Sequence, residues 1–337
     1  MGLPSWPGGP RDSLPSATPE PGPIHVWLRP ALPLEPPRSA WQRWGRNLAL
    51  FLLTAASVFF VGGLRAVDVP GQGTLFAIDP WSGARLAIGL LAILLAHEMG
   101  HYLAARYYGV DVTLPFFIPF PVPGVSLVGT LGAFIRIRSP IPHRRALFDI
   151  GVLGPLAGFA VCLPVLWLGI REATVQPLAA DAEGLFLGEP LLFRWLTLVI
   201  HGSVPADHTL LMGPLGLAAW FGLLVTALNL MPIGQLDGGH VTYALLRDRA
   251  HAISRIASWV CIALVYFGPS WVLWAILVRV LGRRHPPTLE DRAPIGRARV
   301  LVGLLSLVVF VVCFVPDPIV VSWRELLQGT PFERFLP

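Results

Sequence analysis

Long apolar runs, almost free of charge, decide what this chain can fold into. A helix that crosses a bilayer needs about 20 such residues in succession. Runs of that kind cover residues 47–64, 85–109, 146–170, 215–233 and 300–316, and two shorter runs, 253–267 and 271–281, flank a Gly-Pro-Ser break at 268–270. Only 13% of the residues are charged, about half the share of roughly 25% in soluble domains. The expectation is an all-α polytopic membrane protein with six to seven transmembrane helices. The count is seven if the break makes two short spans and six if the two runs form one.

The charges that remain are placed unevenly. Every basic charge is Arg, with no Lys, which suggests a GC-biased genome and a bacterial source. Arg29, Arg38, Arg43 and Arg46 precede the first run, Arg136, Arg138, Arg144 and Arg145 follow the second, Arg247, Arg249 and Arg255 follow the fourth, and Arg283, Arg284, Arg292, Arg297 and Arg299 precede the last. The 171–213 loop instead carries Glu172, Asp181, Glu183 and Glu189. Arginine collects in cytoplasmic loops, so the N-terminus is expected in the cytoplasm of a bacterial inner membrane. The net charge of +5 therefore calls for lipid and loops as its partners, not nucleic acid. Cys162, Cys261 and Cys313 each sit in an apolar run and are expected to pack as small hydrophobes.

Two segments break the pattern. Residues 1–40 are dense in Pro, show no signal-peptide pattern, and read as a disordered cytoplasmic tail. Residues 110–145 are rich in Pro, Gly, Phe and β-branched types, with the alternation GAFIRIRS near their end. They predict a small membrane-associated β-hairpin or sheet between the second and third helices. A sheet edge facing lipid is costly, so this one must pack on protein or border a wet cavity. There its edge either plugs the structure or accepts an extended peptide.

The second apolar run contains HEMGH at 97–101. His97 and His101 are four apart, so on a helix their rings share a face one turn apart. That spacing suits two nitrogen ligands to one Zn²⁺. Glu98 lies beside the pair and is placed to act as a general base without being a ligand. Ionisable groups are rare within a span and are usually functional, and three within five residues are hard to explain as packing. A catalytic zinc needs a third protein ligand. Asp237, in NLMPIGQLDGG, follows the fourth run after a Pro-Gly break that can return the carboxylate to the bundle. Asp149, His240 and His143 are its rivals, and ligand chemistry alone does not choose among them.

HEMGH in one span, together with Asn229-Leu-Met-Pro and Leu236-Asp237-Gly-Gly further on, resembles the site-2 protease family of intramembrane zinc metalloproteases. The similarity extends through residues 129–158 and 282–287 and is greatest to the compact bacterial, cyanobacterial and plastid branch. The resemblance implies one zinc held by His97, His101 and Asp237, with Glu98 as base. Asn229 matches the family's Asn upstream of the LDG motif. It either steadies a substrate carbonyl or oxyanion or makes an interhelical hydrogen bond. The glycines of GPLAG, residues 154–158, most simply allow close helix packing. The chain leaves no room for an inserted PDZ-like domain between the motifs. By this reading residues 41–316 form the metalloprotease domain and 317–337 a C-terminal tail. The substrate is a transmembrane or signal-peptide helix. Two alternatives remain: a zinc-binding transporter or sensor without peptidase activity, and a membrane zincin of another type that uses Glu as its third ligand.

Overall fold

Asp79 begins the helix on which the fold is organised. In the computed structural model its carboxylate accepts the backbone N–H groups of Trp81 and Ser82 and the Ser82 hydroxyl. These are donors that a helix start leaves unpaired. The structure describes residues 40–69, 73–178, 186–266, 268–281, 288–292 and 294–320. Residues 1–39 of the expected 1–40 tail, the 282–287 segment and most of the expected C-terminal tail lie outside the described residues.

In chain order the elements begin with α1 (Ala40–Gly63), β1 (Leu64–Val69), β2 (Gly73–Ile78) and α2 (Pro80–Tyr107). Then come β3 (Phe116–Pro119), β4 (Thr130–Phe134), α3 (Arg144–Arg171), β5 (Thr174–Pro177), α4 (Leu191–His201) and β6 (His208–Leu211). The chain continues with α5 (Pro214–Leu230), α6 (Asp237–Leu246), α7 (Arg249–Leu264), α8 (Ser270–Leu281) and α9 (Arg297–Cys313). The fold is mostly helical. Among the described residues three helices are long and apolar enough to cross a membrane: Trp44–Gly63 within α1, then α2 and α3.

That differs from the expected six to seven helices of spanning length. The apolar runs at 215–233 and 300–316 do form helices, but α5 and α9 have 17 residues each, and α7 and α8 have 16 and 12. Pro214 opens α5, and Pro232 lies just beyond its end. The α7–α8 break falls at Gly-Pro-Ser as expected. Nor is the chain wholly α-helical. The expected hairpin is present as antiparallel β3–β4, with Phe116 opposite Phe134. Two further antiparallel pairs, β1–β2 and β5–β6, were not expected. The β5–β6 pair and α4 occupy part of what the sequence suggested was an acidic loop.

Helix α3 is central, packed on α2, α5 and α6, with α4 and α9 at its side. Apolar burial does not draw helices together within lipid, so association rests on close packing and small residues. A Cβ on Gly222 would lie 2.9 Å from both Cys162 Sγ and Ile93 Cδ1, and one on Gly169 would lie 2.5 Å from the Gly216 nitrogen. The three cysteines are buried and unbridged, as their apolar runs implied. The β3–β4 hairpin is fastened to α1. Asn47 Nδ2 donates to the Leu114 and Pro115 carbonyls at 2.9 Å, and Ser57 Oγ donates to Gly129 O at 2.5 Å. These bonds fix the hairpin over the C-terminal half of α2, where HEMGH lies.

Candidate metal centre

Helix α2 carries His97, Glu98 and His101, all buried. The 3.6-residue period brings His97 Nε2 and His101 Nε2 to 3.1 Å from each other. Asp237 reaches the same point from the first turn of α6, its Oδ2 lying 3.4 Å from His97 Nε2 and 3.2 Å from His101 Nε2. Among the described residues, His97, His101 and Asp237 are the group of side chains able to hold a metal ion together.

Their chemistry fits a cation. His101 Nδ1 lies 2.7 Å from the Ile150 carbonyl, which can only accept, so Nδ1 carries the proton and Nε2 presents its lone pair inward. Two imidazole nitrogens and a carboxylate oxygen converging at this distance are the donor types of a zinc site.

The surrounding backbone makes room for these side chains. A Cβ on Gly154 would collide with the His101 ring, and one on Gly158 would come within 3.0 Å of His97 Cβ. The glycines of GPLAG therefore seat the two histidines, a more specific task than the helix packing expected of them. The packing role falls to Gly100, whose Cα faces the Leu153 carbonyl. On the other side, a Cβ on Gly238 would strike the Leu230 carbonyl, and one on Gly239 the Gly234 carbonyl. The two glycines after Asp237 let α6 start tightly beneath the loop from Met231 to Leu236, and this brings the carboxylate inward.

Asn229, on α5, places Nδ2 3.4 Å from His97 Nε2. With His97 and Glu98 it lines a cavity of about 230 Å³, walled by Leu94, Leu228, Met231, Leu236 and Trp274 and by β4 residues 131–133. Ile135, just past β4, presents its backbone N–H towards the Glu98 carboxylate.

The rival ligands are elsewhere. Asp149 is engaged by Tyr108 and Arg299, and His143 caps α3 by accepting the Ala146 N–H at 3.1 Å. His240 sits on α6 with its Cβ against Gly151. Sequence reasoning missed Ile150, whose contribution is a backbone carbonyl, and Arg299, which acts across 150 positions of chain. Neither leaves a local pattern to read.

A buried His-His-carboxylate cluster with a glutamate alongside, set in a helix of membrane length, defines a class: helical membrane proteins built around a peptidase-type metal centre. The chain belongs to Peptidase family M50, whose family model matches residues 85–267, more than half its length. This bears out the site-2 protease resemblance of its motifs. The chain is similar to "Probable zinc metalloprotease EGY1, chloroplastic" of Oryza sativa subsp. japonica, at 29% identity over 95% of this chain and 56% of that protein. It is also similar to the Arabidopsis thaliana protein of the same name, at 29% over 87% and 55%. "Probable zinc metalloprotease EGY2, chloroplastic" of Oryza sativa subsp. indica is 30% identical over 82% of this chain and 52% of that protein. The chain thus spans about half the length of the curated relatives it matches. The "Site-2 Protease from Methanocaldococcus jannaschii" is 18% identical, covering 68% of this chain and 76% of that one, with a TM-score of 0.31, too low to bear on the fold.

Proposed function

We propose that the chain is an intramembrane zinc endopeptidase that hydrolyses a peptide bond in or near a transmembrane segment of a membrane protein or signal peptide. The observation that supports this most is the meeting of His97, His101 and Asp237 at one point, with Glu98 and Asn229 in the adjoining cavity. In this reading the three side chains hold one zinc per chain. Zinc supplies Lewis-acid polarisation of a carbonyl and water that ionises near neutral pH.

The remaining work belongs to protein groups. Glu98 takes a proton from the attacking water on its carboxylate and returns it to the leaving nitrogen. Asn229 Nδ2 donates towards the oxygen of the scissile carbonyl, where charge develops. Helical substrates keep their carbonyls in i→i+4 hydrogen bonds, so the segment must unwind locally before it is cut. The β4 edge, which borders the cavity, offers an unwound segment backbone partners. The apolar walls take one of its side chains and exclude lipid.

The bilayer is the second partner. Adding α5, α7, α8 and α9 to the three long helices gives the seven crossings, or six if α7 and α8 count as one. The arginine distribution supports a cytoplasmic N-terminus, and the lysine-free composition is the sole support for a bacterial inner membrane. The matched relatives carry chloroplastic names, which do not support a bacterial compartment. A transporter or sensor would leave Glu98 without a task.

The test is cleavage of single-span substrates by purified protein in detergent, with zinc quantified. The proposal expects about one zinc per chain, activity lost on chelation, and activity restored by zinc. Full zinc with no cleavage across a broad substrate panel would move the scaffold reading ahead.

A further inference from the structure

A second cavity, of about 250 Å³, lies between α6, α7 and α8. Besides Ala250, its wall on α7 is a single stripe: His251, Ser254, Arg255, Ser258, Trp259 and Ile262. These positions are spaced at i, i+3, i+4, i+7, i+8 and i+11, one helical face. The stripe begins polar and basic and ends apolar. From α8, Arg279 joins the same lining, so two arginines border one cavity. No Asp or Glu lines it. Among the described residues neither Arg255 nor Arg279 makes an ion pair with a carboxylate.

The hydroxyl groups have complementary roles. Ser254 Oγ accepts the Gly234 N–H at 2.9 Å, which leaves its own proton to donate. Ser258 Oγ donates to the Ser254 carbonyl at 2.7 Å. Two arginines with no carboxylate partner among the described residues, a hydroxyl donor and an imidazole, with no acid in the same lining, suit an anion. Arg matches phosphate geometry with paired donors. The other end of the cavity, at Trp259, Ile262 and Val278, is apolar. Outside it Ile256, Val260 and Ile276 are exposed, as expected of a surface turned to lipid. A phosphate attached to an acyl chain satisfies both ends.

We propose that this cavity binds the phosphate of an anionic phospholipid headgroup, with Arg255 and Arg279 as its main contacts. The inference is independent of peptidase activity. The floor of the cavity includes Pro232 and Gly234, in the loop that leads to Asp237, so an occupant touches the segment that positions that carboxylate.

The experiment is native mass spectrometry of the full chain, purified in detergent, with phosphatidylglycerol and with phosphatidylcholine. Melting temperature in inorganic phosphate is measured alongside. We expect one phosphatidylglycerol per chain, retained in preference to phosphatidylcholine. The R255A/R279A pair should weaken retention by roughly tenfold or more, since each basic group contributes at an anionic headgroup. R255K/R279K, which keeps the charge but loses the paired donors, should fall between, and it serves as the reading if the alanine pair does not fold. Arg297→Ala, an exposed arginine outside the cavity, should change nothing. Equal retention of both lipids, or retention unmoved by R255A/R279A, overturns the proposal. Stabilisation by inorganic phosphate that R255A/R279A abolishes, without any lipid preference, assigns the cavity to a soluble phosphate and overturns the lipid source.

Discussion

Arg299 grips both oxygens of Asp149, Nε to Oδ1 at 2.9 Å and Nη2 to Oδ2 at 2.7 Å, and Tyr108 donates to the same Oδ2 at 2.5 Å. The three residues come from the start of α9, the first turns of α3 and the C-cap of α2. The next residue after Asp149 is Ile150, whose carbonyl orients His101. A clasp on helix ends thus lies one residue from the carbonyl that partners His101, and it occupies both oxygens of Asp149 away from the His97–His101–Asp237 cluster.

Asp149→Asn should therefore keep zinc, whereas Asp237→Asn should lose it. Arg299→Ala removes two charge-assisted bonds from a half-buried carboxylate and should cost about 2 kcal/mol of stability. Denaturation of both single variants and of the double variant checks this. A double variant whose loss equals the sum of the single losses would show the clasp to be uncoupled.

Gly154→Ala should lower zinc affinity with little loss of fold. The new methyl group meets the His101 ring, and displacing a ligand ring has the scale of outer-sphere changes, about tenfold to a hundredfold. Competition with a chromogenic chelator reads it out. Unchanged affinity would mean that the ring adjusts freely.

Asn229→Ala separates the two roles open to that residue. If its amide serves the developing oxyanion, turnover should drop by about a hundredfold to a thousandfold while zinc content and melting temperature hold. A fall in melting temperature with turnover preserved would leave it an interhelical bond.

The start of α2 gives a pH dependence. Hydrogen bonds to Asp79 from the Ser82 hydroxyl, then from the Ser82 and Trp81 backbone, hold its carboxyl below the usual carboxylate range. The folded pKa is lower than the unfolded one, so this stabilisation is complete above the unfolded value of about 3.9 and is lost as pH falls through the folded value. Wild-type protein should lose stability on acidification below about pH 4 more steeply than Asp79→Asn. Melting curves between pH 3 and pH 6 compare the two, and parallel slopes would remove Asp79 from the account.

The parts of this molecule that were legible in sequence are those written locally. His97 and His101 stand one helical turn apart with Glu98 between them, and the apolar runs mark α1, α2 and α3, α3 almost to its ends and α1 and α2 short of their starts. The hairpin announced itself through its Pro, Gly and β-branched residues, and the α7–α8 break through Gly-Pro-Ser. Ligand chemistry left Asp237 and Asp149 undecided, because the choice depends on how α6 and α9 pack, which is a tertiary matter. The family resemblance favoured Asp237, and the geometry brings that carboxylate to the histidines. The β1–β2 and β5–β6 pairs were missed because four- to six-residue strands beside long helices carry little periodic signal. Three of the expected spans have helices of crossing length, while α5, α7, α8 and α9 are shorter, because hydropathy marks an apolar run and says less about where its helix stops.

The central claim is that Glu98 moves a proton while His97, His101 and Asp237 hold the metal. The most direct measurement is zinc content and cleavage of a single-span substrate by Glu98→Gln beside wild type. The account predicts about one zinc per chain in both proteins and cleavage in wild type alone, since a base is removed and the ligands are spared. Cleavage by Glu98→Gln at the wild-type rate, with zinc bound, would contradict it.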